Sequence, residues 1–259
     1  NGTATSTFAN GIALEGGCFR DPSGSCIQSA GDTVVVVAAS DSPANEKAYA
    51  DYVADGTNDE DTIQAAIDYA YNGGQGGTVH LLSGQFNIAS SSINLATSSR
   101  LVGQGSSTVW RLVDNADVPT GASLLSANQA HFSYVGNLHL EGNKATNGAD
   151  NNTGINFMTT SSSTIEHVVA NDFFSAGFFL DSGTSNNILT GNTANNNSLG
   201  FGVEWSVNNT LTGNTANFNF NVFSLGFSGN NKLTANTANF NFSGFVLAVG
   251  FNNTLTGNT

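Results

Sequence analysis

The chain has 259 residues and a formal net charge of −13, yet only 10% of its residues are charged. That composition excludes a disordered polyanion, and six Lys and Arg in all leave no electrostatic footprint for nucleic acid. No apolar run approaches the roughly 20 residues that a membrane span needs.

Residues 1–45 form a polar lead-in. The chain begins at Asn1 rather than Met and shows no signal peptide, so it reads as a processed, mature chain. Within "CFRDPSGSC", Cys18 and Cys26 have a spacing that suits a small disulfide loop. A metal pair is the rival reading, but no His lies near them in sequence. A disulfide implies an oxidising compartment, hence a secreted protein at the cell surface or outside the cell. The lead-in ends with one strand-like run, "DTVVVVAAS".

The stretch "ADGTNDEDTIQAAIDYAYNGG" predicts a helix over 58–72. Asn58 is the expected N-cap, Asp59, Glu60 and Asp61 favour the positive end of the helix, and Gly73 terminates it. Ile63, Ala66, Ile67 and Ala70 make its apolar stripe. From "GGTVHLLSGQF" onward, short alternating runs broken by Gly, Asn and Ser read as strands, and nothing after Gly74 reads as a helix.

Over residues 186–259 the chain repeats itself. "NNTLTGNTANFNFNVFSLGFSG" runs from Asn208, and a near copy follows without a gap. Aligning Asn186, Asn208, Asn230 and Asn252 puts Leu189, Leu211, Leu233 and Leu255 in one column. Ala194, Ala216 and Ala238 form a second column, and Asn192, Asn214, Asn236 and Asn258 a third. The triplets Phe201, Val203, Trp205 and Phe223, Leu225, Phe227 alternate with period two and are expected to point inward together. A repeat of this length built from short strands is a solenoid signature. Each unit buries its apolar face only by stacking on the next, with columns of like residues roughly 4.8 Å apart. The fold class is therefore all-β, a parallel β-helix over 46–259 with coils of about 22 residues and an N-terminal capping α-helix.

"VADGTNDEDTIQAAIDYAYNGGQGGTVHLLSGQF", "RLVGQGSSTVWRL" and "NLHLEGNKATNG" resemble the right-handed parallel β-helices of the pectate-lyase superfamily. They are most similar to the catalytic module of mannuronan C5-epimerases, while the Asn-rich repeats look like those of cell-surface β-helix proteins. In the epimerases, the resemblance implies, one coil carries Tyr-Gly-Phe-Asp-Pro-His and the next supplies an Asp. The matching coils here read "AGFFLDSG" and "LGFGVEWS". Ala176 stands for the Tyr, Phe179 for the first Asp, Asp181 for the His and Glu204 for the second Asp, so the family's catalytic set is broken.

What remains is a carboxylate pair. Asp181 and Glu204 fall at equivalent outward positions of successive coils, the spacing of a glycosidase pair or of half a Ca²⁺ site. Two solvated acids are the plainer reading. His80, His131, His139 and His167 show no ligand spacing. The outward strip reads Gly202, Glu204, Ser206, then Ser224, Gly226, Ser228, then Val246, Ala248, Gly250, small enough to suggest a packing surface. The phrase opening at Asn252 stops at Thr259 and leaves a coil uncapped. Leu255, Asn252, Gly226 and Ala248 are accordingly the candidate assembly residues. Two functions follow. The first is an extracellular β-solenoid surface or structural protein that self-associates through the uncapped coil, needs no cofactor and lacks the family's chemistry. The second is a secreted protein that binds or modifies a polysaccharide. Convergent carboxylates with aromatic platforms would favour the second.

Overall fold

The computed structural model describes residues 33–71, 74, 76–116, 119, 121–147 and 152–259. Cys18 and Cys26 lie outside them. Three parallel sheets run along one axis, of ten, seven and seven strands. Each coil visits them in turn. Gly77–Leu81 lies in sheet 1, Gly84–Ile88 in sheet 2 and Ile93–Asn94 in sheet 3, and the order recurs to Lys232–Thr234, Thr237–Asn239 and Phe245–Ala248. The strand-like run of the lead-in, Val34–Ala38, belongs to sheet 1, pairing with Gly77–Leu81 on one side and Tyr52–Val53 on the other.

The repeat columns are the registers of these sheets. Leu189, Leu211, Leu233 and Leu255 pair in sequence across sheet 1, and Ala194, Ala216 and Ala238 across sheet 2. In sheet 3, Phe178, Phe201, Phe223 and Phe245 stack ring on ring at 4.8–4.9 Å. Fully buried Leu211, Leu233, Ala216, Phe223 and Leu225 line this core. The Asn column is internal as well. Asn214 accepts from the Asn192 amide through Oδ1 (2.9 Å), and its Nδ2 donates to the Leu189 carbonyl (2.9 Å) and to Asn236 Oδ1 (3.0 Å). Such ladders satisfy backbone groups at the bends, where no strand partner is available.

The cap helix spans Asp59–Tyr71 and covers the first coil with Ile63, Ala66, Ile67 and Ala70. Its acids do more than meet the helix dipole. Asp59 accepts from the amides of Gly56 (2.8 Å) and Asn87 (2.7 Å), and Glu60 accepts from Ser90 N (2.8 Å) and Ser90 Oγ (2.9 Å). Asn58 departs from the expected side-chain cap. Its backbone is left-handed (φ 51°), and its carbonyl accepts from Asp61 N.

The triplets need a correction. Phe201, Val203, Phe223 and Leu225 point inward, but Trp205 (58% exposed) and Phe227 (47%) point out. Both sit at a corner with left-handed backbone, φ 51° and 49°, which breaks the alternation after the strand ends. Ser206 and Ser228, expected outside, take the inward place and are fully buried. Ser206 N donates to Ser228 Oγ (3.1 Å), and Ser228 Oγ donates to the carbonyl of Val203 (2.9 Å). After the cap helix, one short 3-10 turn at Gly105–Ser107 interrupts the strands among the described residues.

Candidate functional site

The outward face of sheet 3 carries the acids found in the sequence. Leu180 pairs with Val203, so Asp181 at the end of Ala176–Asp181 stands beside Glu204 at the end of Leu199–Glu204. Neighbouring parallel strands lie roughly 4.8 Å apart, which makes the two carboxyl groups immediate neighbours. Burial pushes the Glu204 carboxyl above the usual range, and the charge of Asp181 pushes it further.

A hollow of about 510 Å³ opens beside Asp181, lined by Thr153, Asn156, Ser175, Phe179 and Leu199 among others. Its floor depends on a glycine. A Cβ on Gly202 would collide with the Phe179 ring and crowd Leu199, so the missing side chain is what lets the ring lie across the next strand. Phe179 thereby forms an apolar platform next to the acids. Asn156, in register with Phe179, has a buried Oδ1 with no hydrogen-bond partner among the described residues. Such an atom normally finds one. Immediately after Glu204, Trp205 stacks on Phe227 with centroids 4.2 Å apart and rings within 4° of parallel. None of the residues lining the hollow is cationic.

The sequence located Asp181 and Glu204, and the structure brings them together. Gly226 and Ala248 continue their column, paired with each other, and a Cβ on Gly226 would rest 3.5 Å from Glu204 Cγ. Asn252 and Leu255 lie in the last coil, where Leu255 is 37% exposed. As metal ligands, Asp181 and Glu204 gain no third His, Cys, Asp or Glu among the described residues. Phe179 was identified only as the residue standing where the epimerases have an Asp, and Asn156 and the outward Trp205–Phe227 stack were not singled out. Phe179 was legible as an outward residue, because it alternates with inward Phe178 and Leu180 and faces a glycine in the next repeat. The four histidines are dispersed. His80 is exposed on sheet 1, His131 Nδ1 lies 2.9 Å from Ser161 Oγ, His139 pairs with Glu141 on sheet 2, and His167 occupies a left-handed corner.

Fold and face together define a right-handed parallel β-helix with a hollow on the outward face of sheet 3. A family model described as "Periplasmic copper-binding protein (NosD)" matches residues 85–259, and the chain belongs to that family. No curated protein matches the chain. Among solved structures, the A-module of Azotobacter vinelandii mannuronan C-5 epimerase AlgE6 is similar (19% identity, TM-score 0.57), covering 78% of this chain and 72% of that one. The AlgE4 A-module from the same organism aligns at 20% identity and TM-score 0.53, over 78% and 73%. The catalytic domain of a GH87 α-1,3-glucanase, solved with tetrasaccharides, aligns at 15% identity and TM-score 0.54, over 76% of this chain and 37% of that one. At these identities the likeness is one of fold.

Proposed function

We propose that the protein is a glycan-binding β-helix working outside the cytoplasm, which holds an uncharged polysaccharide across the outward face of sheet 3. The observation that carries this reading is the Phe179 platform lying against the Asp181–Glu204 pair. A sugar ring has an apolar face for the platform and hydroxyls for the acids and the unpartnered Asn156 Oδ1. Charge selects the class of glycan. A polyuronate would set its carboxylates against Asp181 and Glu204 with no lining cation to offset them. The family's description as periplasmic supports a place beyond the cytoplasm, and no helix among the described residues is long and apolar enough to cross a membrane.

The same description names copper, and the donors among the described residues do not fit it. Copper sites draw on clustered imidazole and sulfur ligands. Here the described histidines stand on different faces, and no three His, Cys, Asp or Glu side chains gather among the described residues. No step of the proposed function involves the metal.

Affinity electrophoresis in gels containing either uncharged glucans or polyuronates tests the reading. Retardation by at least one uncharged polymer is expected, with Phe179→Ala weakening it about tenfold, the loss of ~1.4 kcal/mol of contact. Indifference to every uncharged polymer, or an unaffected Phe179→Ala, would overturn it. New reducing ends that disappear in both Asp181→Asn and Glu204→Gln would extend the reading from binding to hydrolysis.

A further inference from the structure

Sheet 2 carries a second recess, of about 610 Å³, that owes nothing to Asp181 or Glu204. It is lined by outward residues of successive strands: Gln85, then Val109 and Arg111, then His139 and Glu141, with Asp172 and Asn196 at the following corners. These residues belong to five consecutive coils, a length of roughly 19 Å at the parallel-strand spacing. That is an elongated track along the axis rather than a pocket for one small molecule.

One wall is built for the purpose. The segment Asn143–Asn147 leaves the regular coil and is pinned back onto the preceding one at both ends. Asn143 Nδ2 donates to the Leu112 carbonyl (3.1 Å) and to Asp114 Oδ1 (2.7 Å). Asn147, itself buried, donates to the Val113 carbonyl (2.9 Å) and accepts from Ala116 N (2.9 Å). Lys144 is thereby held over the recess, its Nζ donating to the carbonyl and to Oδ1 (2.8 Å) of Asn196. Both of those acceptors are neutral, so the lysine charge is uncompensated by them. Arg111 has two acidic neighbours: Asp114, at 3.8 Å in an exposed setting where such pairs contribute little, and Glu141, in register with it on the next strand.

The acids of the recess each have a polar neighbour. Glu141 pairs with His139, and Asn171 Nδ2 lies 3.2 Å from His139 Nε2 and 3.4 Å from Glu141 Oε1. Asp172 accepts from Asn196 Nδ2. In a chain with only six Lys and Arg, two of them line this recess, alongside the acids Glu141 and Asp172. Around them stand amide, imidazole and carboxylate groups in the mixture that matches sugar hydroxyls. One coil beyond Asn196, at the same corner, exposed Phe218 stacks on Phe240 at 5.2 Å, and Phe220 on Phe242 at 4.7 Å. Ring edges there extend the polar track with apolar surface.

We propose that this recess is a second, separate binding site, for an oligosaccharide bearing oxyanions. The anionic group, carboxylate or sulfate, lies between Arg111 and Lys144, and the hydroxyls of neighbouring sugars reach Gln85, Glu141 and Asn143. The site stands independently of the reading for sheet 3, and its failure is separable from that one because the variants differ.

Isothermal titration of the 259-residue chain with a uronate hexasaccharide, a sulfated one, an uncharged one, and sodium sulfate alone tests it. Binding of one charged oligosaccharide is expected, with Arg111→Gln combined with Lys144→Gln weakening it at least tenfold and flattening its salt dependence. The Asp181→Asn, Glu204→Gln double variant should bind it as the parent does. Both side chains are at the surface, and equal thermal midpoints for parent and variant exclude misfolding as the cause. Which charged sugar binds identifies carboxylate or sulfate as the group recognised. Equal binding by the Arg111, Lys144 variant, no binding of either charged oligosaccharide, or a response to sodium sulfate as strong as to the sugars would each overturn the proposal.

Discussion

At the scale of the residue, Glu204 shows how a solenoid converts repetition into chemistry. A position that holds Gly226 and Ala248 in later coils holds an acid here, stacked against the acid of the coil before it. Burial and then the Asp181 charge raise its pKa above the ordinary value of 4.5. The folded protein therefore holds this proton more tightly than the unfolded chain does. The contribution to stability is full below the unfolded value and is lost as pH rises through the raised folded one. Glu204→Gln removes that loss. Its unfolding midpoint is expected to exceed the parent's by about 1 °C at neutral pH, after allowance for solvent screening. The two should coincide near pH 4, and a variant less stable than the parent at neutral pH would show that Glu204 is held by favourable contacts instead. The acid itself was legible in the sequence because the repeat aligned it with Asp181. The direction of Trp205, one residue later, was not. A left-handed corner follows the strand there, and period-two reasoning stops where the extended backbone stops. A better signal was present in the hydroxyl column Thr160, Thr184, Ser206 and Ser228, all buried, which marks the inward position at that corner.

At the scale of the element, the ladders of asparagine hold the bends between sheets. Asn214→Ala leaves the Asn192 amide and the Leu189 carbonyl without their side-chain partner in a fully buried place. The expected cost is roughly 2–5 kcal/mol, measured as a lowered urea midpoint. Asn214→Asp discriminates between shape and donor. It keeps the outline but turns a carboxylate oxygen toward the Leu189 carbonyl and Asn236 Oδ1, where Nδ2 now donates. At neutral pH it should be at least as damaging as the alanine, and if it is milder the ladder does not depend on donation. These columns were the most legible part of the fold, since a 22-residue period fixes which side chains meet. The helix start was legible in its acids but not in their partners. Asp59 and Glu60 bind the amides of Gly56, Asn87 and Ser90, two of them near thirty residues on, a pairing that only the folded coil creates.

At the scale of the whole molecule, three sheet faces share one axis but present different surfaces. Sheet 3 turns out two acids and an apolar ring beside a buried, unpartnered amide oxygen, while sheet 2 turns out Arg111 and Glu141 next to a pinned loop that carries Lys144. The sequence resemblance located the scaffold. The hollow was hidden because it depends on Phe179 leaning over Gly202 in the next coil, a contact between repeats rather than within one. Asn156 and Phe179 are in register on neighbouring strands and Asp181 follows two residues on, all three lining the hollow, so a ligand filling it would touch all of them. Nuclear magnetic resonance of the isotopically labelled protein, titrated with an uncharged oligosaccharide that retards it, tests this most directly. The account predicts saturable shifts of the Asn156 side-chain amide, of the Phe179 ring and of the backbone amides of Asp181 and Glu204. It also predicts that they vanish in Gly202→Ala, where the new methyl group lifts the ring from the sheet. Shifts confined to other faces, or a Gly202→Ala variant that responds as the parent does, would contradict it.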